Sequence, residues 1–152
     1  MECPYCHKPY TIVKNSRSTR GNAQIWRRRF CLNCEQTFTT HEVIDLSHLL
    51  VIKKSGKTEM FSRMKLYSGI FHASTASRVI HREEVIDKIT REIEKEILSL
   101  RKKRITSLEI ADVVLKVLRR RNTPTFLRFL TYCKDIVNEE QLKRELGRYM
   151  QS

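Results

Sequence analysis

Four cysteines stand in two pairs with the spacing of metal-binding turns. Cys3 and Cys6 form one Cys-x-x-Cys unit, and Cys31 and Cys34 form the second. Zinc prefers four thiolate ligands arranged as a tetrahedron, and two such turns supply two sulfurs each. Because four thiolates leave no open position for water, the sequence predicts one structural Zn²⁺ ion per chain.

Two other interpretations of these cysteines are open. His7 follows Cys6 and could replace one thiolate, or the four cysteines could be reduced and buried without a metal. Metal binding is favoured because a segment of about 45 residues buries too little apolar surface to fold alone. The fifth cysteine, Cys133, stands alone on an apolar helix face and is predicted to lie in the core.

A group of arginines and one tryptophan between the two cysteine pairs has the chemistry of a nucleic-acid surface. Guanidinium groups match phosphates and guanine edges, and a tryptophan can stack or anchor. The alternative is a solvated basic turn. Along a strand, alternation would send Arg27 and Arg29 to one face and Arg28 to the other. The candidate DNA-binding residues are Arg17, Arg20, Trp26, Arg27, Arg28 and Arg29.

Lysines crowd a second region, residues 49–61, which is predicted to form a β-hairpin. Lys53, Lys54 and Lys57 lie on this hairpin, and Lys65 lies about one turn into the helix predicted to follow. Such a cluster can neutralise a triphosphate by point charges. The hairpin is therefore a candidate nucleotide site.

The composition indicates a globular and strongly basic protein. The chain has 152 residues, and 40% of them are hydrophobic, which allows a modest core and argues against wholesale disorder. Lys and Arg number 30 against 17 Asp and Glu, so the net charge is +13 and the expected partner is a polyanion. Residues 1–48 contribute +3 of this charge and residues 49–152 contribute +10.

Neither a membrane segment nor a signal peptide is expected. The longest apolar run, residues 49–52, is far shorter than the ~20 residues that span a bilayer. The N-terminus lacks the basic start and the apolar stretch of a signal peptide. We therefore expect a cytoplasmic protein with reduced thiols, which favours metal binding over disulfides.

The predicted secondary structure changes in character near residues 45–48. Short strands are predicted at residues 11–13 and 24–26 in the first part. Beyond the hairpin, apolar residues recur at helical spacing, and Thr106-x-x-Glu109 forms a capping box at a helix start. The predicted fold class is α+β. Helices are predicted over residues 62–74, 82–100 and 106–120, from residue 123, and over residues 139–150.

Two stretches resemble a known family. The zinc ribbon of NrdR-type transcriptional repressors is matched by Cys3-Pro4-x-Cys6, Ser16-Arg17, Arg27-Arg28-Arg29, Cys31-x-x-Cys34 and Phe38-Thr39-Thr40-x-Glu42. The ATP-cone, which follows the ribbon in this family, is matched by Val51-x-Lys53-Lys54-x-Gly56-Lys57-x-Glu59-x-Phe61 and Lys65-Leu66. A ribbon followed directly by a cone is a highly specific combination.

The resemblance implies a division into three parts. These are a small zinc ribbon over residues 1–45, a mainly helical ATP-cone with an N-terminal β-hairpin over residues 49–139, and a C-terminal helical tail over residues 140–152. It also implies a zinc-dependent bacterial repressor of ribonucleotide reductase genes that binds double-stranded operator DNA. ATP and deoxy-ATP would act as allosteric ligands that change its homo-oligomeric state.

The resemblance further implies a residue set for the nucleotide. Val51 would pack on adenine, or serve as hairpin core, and Glu59 would read the base or the ribose. The basic residues would meet phosphates, although Arg128 is equally interpretable as a helix-surface charge. The implied nucleotide-binding residues are Val51, Lys53, Lys54, Lys57, Glu59, Lys65 and Arg128.

Two other classes of function fit parts of the sequence. The net charge alone would suit an RNA-associated zinc ribbon with a basic helical domain, but RNA binding does not require the lysine-rich hairpin. An enzyme would need an open metal site, paired carboxylates or a nucleophile beside a base, and we find no such constellation in the sequence. A regulator rather than an enzyme is therefore predicted.

Overall fold

The N-terminal cysteine segment folds as a three-stranded antiparallel sheet. The computed structural model describes residues 1–18, 24–74 and 81–150 of the chain. Its first unit, Met1–Asp45, contains β1 (Thr11–Ser18), β2 (Gln24–Cys31) and β3 (Thr37–Val43), in the order β1-β2-β3. β1 and β2 are longer than the sequence predicts, and β3 is an additional strand.

This sheet has almost no hydrophobic core of its own. Cys3 and Cys31 are the only buried side chains among the described residues of the first unit. Ile12 is 44% exposed and Val13 is 41% exposed, although both lie in a strand. So little burial cannot offset the conformational entropy of ordering the chain, so the unit depends on another source of stability.

The second unit, which begins at Leu46, contains a small mixed sheet. The predicted hairpin is present as β4 (Leu50–Ile52) and β5 (Thr58–Met60), which pair antiparallel. A third strand, β6 (Arg104–Thr106), pairs in parallel with β4 and makes β4 central. A parallel pair needs a long connection, and the helices that lie between β5 and β6 in the chain provide it.

The predicted helices are all present, with ends that agree to about one residue, and the α+β fold class is confirmed. Side-chain caps define three of the helix starts. Ser62 caps the first helix, Thr106 and Glu109 form the predicted capping box, and Asn122 caps the fourth. The helices are α1 (Arg63–Ala73), α2 (Arg82–Ser99), α3 (Ser107–Arg121), α4 (Thr123–Cys133) and α5 (Glu139–Met150).

Helix α3 is at the centre of the second unit, where it packs against α2 and α4. The apolar faces of these helices form one core with the sheet, and its members include Val51, Ile93, Ile105, Val114 and Leu118. No helix in the described ranges combines the length and the apolar character needed to cross a lipid bilayer. The core therefore fixes the hairpin against the helical layer.

The capping box at α3 makes a testable contribution to stability. The hydrogen bond from Lys102, together with those from Thr106, lowers the pKa of Glu109 to about 2. We expect Thr106→Ala to lower the free energy of unfolding by about 1 kcal/mol. Because the pKa is below its unfolded value of about 4.3, the contribution of Glu109 is present at neutral pH and is lost as the pH falls toward 2.

Urea titrations at pH 7 and pH 3, followed by the helical signal of the second unit at 222 nm, measure both effects. At pH 3 protonation of the thiolates releases zinc from wild type and variant alike, so the comparison at that pH concerns the second unit. The matched control is Thr131→Ala, which removes an exposed threonine whose hydroxyl donates to the Arg128 carbonyl within α4. An equal loss of stability in the two variants at pH 7 would contradict the role of the capping box.

Candidate zinc centre, DNA-binding face and nucleotide cavity

The four predicted zinc ligands meet in the first unit. The Sγ atoms of Cys3, Cys6, Cys31 and Cys34 all lie within 4.8 Å of one another. The Cys3–Cys34 and Cys6–Cys31 sulfur pairs are each separated by 3.6 Å. A tetrahedron with Zn–S bonds of about 2.3 Å has edges of about 3.8 Å, so this donor set fits zinc.

Two matching turns hold the sulfur atoms. The N–H of His7 donates to the carbonyl of Cys3 at 2.9 Å, and the N–H of Glu35 donates to the carbonyl of Cys31 at 3.0 Å. His7 and Glu35 have φ angles of 57° and 58°, so the chain reverses at the same point of both turns. His7 is exposed and does not belong to the cysteine cluster, so its backbone rather than its imidazole shapes the site.

Strand β2 divides its arginines between the two faces of the sheet, as alternation predicts. On one face, Arg27 forms an ion pair with Glu42 at 3.0 Å, and Arg29 donates to the Thr40 hydroxyl at 3.1 Å. Both arginines are half-buried. The sheet itself therefore already uses part of the charge and hydrogen-bonding capacity of this face.

The opposite face carries Arg28, which is exposed. Its guanidinium donates to the hydroxyl groups of Thr37 at 2.9 Å and Thr39 at 3.4 Å. These partners are neutral, and no carboxylate in the described part of the chain pairs with Arg28. Arg28 is thus held in place while its positive charge stays uncompensated.

An irregularity in β1 brings further basic residues to the face of Arg28. Val13 pairs with Arg29 and Asn15 pairs with Arg28, so Lys14 is an extra residue, as in a β-bulge. An insertion of one residue reverses the faces of all residues that follow it in the strand. The sequence alone does not indicate this bulge.

As a result of the bulge, Arg17 lies opposite Trp26, on the same face as Arg28. The ammonium group of Lys14 lies 3.8 Å from the centroid of the Phe30 ring, also on this face. We call Lys14, Arg17, Trp26 and Arg28 the bulge face. The sixth candidate residue, Arg20, lies outside the described residues.

The second unit contains a cavity of about 290 Å³ beside the hairpin. Four of the predicted nucleotide-binding residues line it, namely Val51, Lys53, Glu59 and Lys65. The helical walls come from positions that the sequence did not indicate, since a helix face that lines a cavity has the same periodicity as one that lines a core. These helical residues include Ile110, Phe129, Tyr132 and Cys133, and Phe61 after β5 adds to the wall.

A single carboxylate holds the two lysines of the cavity. Glu59 on β5 accepts from Lys53 at 2.9 Å and from Lys65 at 2.8 Å, with a different oxygen atom for each. The hydrogen bond from Lys65, followed by that from Lys53, lowers the pKa of Glu59. Glu59 is therefore ionised and ties the hairpin to α1.

The third lysine, Lys54, is held by a different carboxylate. Its ammonium group lies 2.7 Å from Asp135, in the turn after α4, and 3.4 Å from the carbonyl of Cys133. The bond to Asp135 raises the pKa of Lys54. Lys54 and Asp135 both line a second, more polar cleft of about 600 Å³, which shares Lys53 and Cys133 with the first cavity.

Two predicted phosphate contacts do not line either space. Lys57 lies at the exposed end of the hairpin, and Arg128 is exposed on α4. The expectation that they meet a nucleotide in this cavity is therefore not supported by their positions. Consecutive positions on a hairpin point to different sides, so the density of lysines in the sequence overstates how many converge.

The sequence predicts that Cys133 lies in the core. In the structure Cys133 packs against the core but is only half-buried, and it lines the cavity wall. Burial raises the pKa of its thiol to about 11, so it is a neutral thiol at physiological pH. It contributes a small apolar surface between the two spaces. An apolar helix position beside a cavity cannot be distinguished from a core position by periodicity.

The two units match two described families in order along the chain. Residues 1–42 match the N-terminal domain of NrdR-like transcriptional repressors. Residues 49–139 match the ATP cone domain. The first match covers the cysteine cluster and the bulge face, and the second covers the cavity and the adjoining cleft, which together hold Lys53, Lys54 and Lys65.

Curated relatives extend the similarity over nearly the full length. A protein named transcriptional repressor NrdR from Thermoanaerobacter sp. (strain X514) is 34% identical, over 99% of this chain and 94% of its own length. Proteins of the same name from Synechococcus sp. (strain JA-2-3B'a(2-13)) and Carboxydothermus hydrogenoformans are 35% and 31% identical over 99% of this chain. The alignments cover 89% and 96% of those two proteins.

The cysteine cluster yields a direct prediction. Cys3→Ser should lower the zinc content well below one ion per chain and abolish DNA binding, while the helical second unit stays folded. Metal analysis after gel filtration measures the zinc content, fluorescence anisotropy measures DNA binding, and circular dichroism at 222 nm measures the helical fold of the second unit. Cys133→Ser is the matched control and should keep its zinc, and full retention of zinc by Cys3→Ser would contradict the assignment.

Proposed function

This chain belongs to the NrdR family of transcriptional repressors, and we propose that it represses ribonucleotide reductase genes under the control of adenine nucleotides. The observation that carries the proposal is the cavity beside the hairpin with its adjoining cleft, where carboxylates balance three lysines in a protein that also has an uncompensated basic face. The proposed division is a ribbon at residues 1–45, a cone at residues 49–139 and a helical tail at residues 140–152. The proposed location is the bacterial cytoplasm, on the nucleoid when the protein is bound to DNA.

Zinc acts as the structural centre of the DNA-binding unit. Cys3, Cys6, Cys31 and Cys34 hold the ion, which supplies the folding free energy that the exposed sheet lacks. The ion has no role in chemistry, since the four thiolates fill its tetrahedral shell. The sheet then presents its side chains to DNA in a fixed geometry.

Operator DNA binds to the bulge face. Arg28 carries a charge without a carboxylate partner, and Arg17 and Trp26 lie opposite each other beside it. Guanidinium groups contact phosphates and guanine edges, while an indole ring packs against sugars or bases. Arg27 and Arg29 lie on the other face and act chiefly by stabilising the strand pair.

The nucleotide binds in the cone cavity by exchange of anions. Its phosphates replace the Glu59 and Asp135 carboxylates as partners of Lys53, Lys54 and Lys65, and the freed Glu59 accepts from the ribose or the base. Val51 and Phe129 provide apolar surface for the adenine ring. Because these ion pairs join the hairpin to α1 and to the turn after α4, exchange alters contacts between elements.

Control requires the nucleotide to distinguish between two assemblies. Deoxy-ATP reports that deoxynucleotides are sufficient, so it favours the homo-oligomer that pairs two ribbons at operator spacing. ATP favours another homo-oligomer that keeps the ribbons apart. A ligand can do this only through different affinities for the two assemblies.

Substitutions on the two faces of the ribbon test which face binds DNA. Arg28→Ala should weaken operator binding by about 1–3 kcal/mol, because it removes a base or phosphate contact. Arg27→Ala is the matched control, since Arg27 lies on the same strand but pairs with Glu42. Fluorescence anisotropy with labelled operator DNA measures both affinities, with zinc content checked for each variant. A larger loss for Arg27→Ala would contradict the assignment of the bulge face.

Substitution of the lysines at the cavity and the adjoining cleft tests the proposed nucleotide site. Lys53→Ala combined with Lys54→Ala should weaken ATP and deoxy-ATP binding in calorimetry, because two of the phosphate partners are lost. Light scattering should show that the oligomer no longer responds to either nucleotide, with the zinc content unchanged.

The control for this test is Lys57→Ala combined with Arg128→Ala, which also removes two cations but none that lines the cavity. This variant should bind nucleotides as the wild type does. If the Lys53 and Lys54 variant still changes its assembly with deoxy-ATP, the nucleotide site lies elsewhere.

A further inference from the structure

Four consecutive basic residues, Arg101–Arg104, follow α2 and end at the first residue of β6, and all four are exposed. We call this segment the basic loop. It lies in the second unit, away from the cysteine cluster in the chain, and it contributes no residue to the cavity or to the adjoining cleft. The nucleotide site therefore does not account for its charge.

Backbone hydrogen bonds hold the basic loop in one conformation. The N–H of Arg101 donates to the carbonyl of Leu98 at 3.0 Å, and Arg101 has a φ angle of 52° where the chain turns out of α2. The carbonyl of Lys103 accepts from the N–H of Leu50 at 3.2 Å, next to the parallel pairing of β4 with β6. The loop thus presents its side chains from a fixed edge of the sheet.

The charge of the loop is mostly uncompensated. Lys102 pairs with Glu109, but the side chains of Arg101, Lys103 and Arg104 have no hydrogen bond or ion pair among the described residues. A run of three arginines at the end of α3, residues 119–121, differs in this respect. There Arg120 and Arg121 pair with Glu92 and Glu96 on α2.

The distribution of charge points to the type of partner. Residues 1–48, which include the bulge face, carry only +3, whereas residues 49–152 carry +10. Three unpaired cations within four consecutive residues match a repeating anion better than a single phosphate group. In a DNA-binding protein, the polyanion always present in the complex is the duplex itself.

We propose that the basic loop contacts the phosphate backbone of the DNA that the ribbon recognises. The loop adds affinity that does not depend on base sequence, while the ribbon carries the sequence preference. This inference rests on the proposed function, because it requires that the chain bind operator DNA. It assigns to the ATP-cone a contact with DNA in addition to its nucleotide site.

The test measures how the affinity for DNA depends on salt. The variant Arg101→Gln, Lys103→Gln, Arg104→Gln removes three cations and keeps polar side chains. Each phosphate contact contributes about 0.9 to the slope of log affinity against log salt concentration, so the slope should decrease by about 2 to 3. The control, Lys116→Gln, Lys143→Gln, Arg144→Gln, removes three exposed cations from α3 and α5 and should leave the slope unchanged.

The outcomes of this experiment distinguish failure of the inference from failure of the proposed function. If the wild type does not bind operator DNA at all, the proposed function fails. If the wild type binds and the loop variant keeps the wild-type slope, or if the control variant loses as much slope, the basic loop does not contact DNA. ATP affinity and thermal unfolding identify a loop variant that has lost its fold, and Lys103→Gln alone, expected to lower the slope by about 1, then serves as the test.

A change of oligomeric state without DNA, at an unchanged slope, would instead identify the loop as a contact between copies of the chain. That outcome would overturn the proposal. Light scattering of the loop variant in the absence of DNA distinguishes the two.

Discussion

The balance of charge around three lysines is the constraint on which the proposed nucleotide control of the cone depends. Lys53, Lys54 and Lys65 each have a carboxylate partner within 3 Å, supplied by Glu59 or by Asp135. These ion pairs also connect different elements of the fold, because they join the hairpin to α1 and to the turn after α4. A phosphate group that replaces these carboxylates as the partner of the lysines therefore breaks contacts within the protein. This is the physical route that the proposed control by nucleotides uses.

The ribbon is under a different constraint, because its strands must be ordered with almost no hydrophobic core. Its buried side chains are cysteines, and its strands are covered by cross-strand polar contacts such as Arg29 with Thr40. Four cysteine sulfurs gathered at one end of the sheet form a donor set that fits zinc, while the strands remain exposed and basic. The same lack of burial leaves the side chains of the sheet accessible.

Much of this organisation could be predicted from the sequence. The cysteine spacing indicated the zinc cluster, helical periodicity gave the helices, and the order of ribbon and cone motifs identified the family, which the comparisons confirmed. Family membership also supports a regulator rather than an enzyme.

Other features have no local signal in the sequence. Strand β6 has three residues and depends on parallel pairing with β4, a contact between distant segments. The bulge at Lys14 depends on which residues of β2 are paired, and it decides the face on which Arg17 lies. Whether Cys133 lines a core or a cavity depends on the packing of α4 against α1 and α3.

Exchange of anions at the lysines is the central claim, and Asp135→Asn tests it most directly. Asp135 is 78% exposed and has a φ angle of 50°, a conformation that asparagine also tolerates, so the substitution removes a charge with little strain. An exposed ion pair contributes about 0.2–1 kcal/mol, so loss of the competing carboxylate should tighten ATP binding up to about five-fold in calorimetry at low salt. Unchanged or weaker ATP binding by Asp135→Asn would contradict the account.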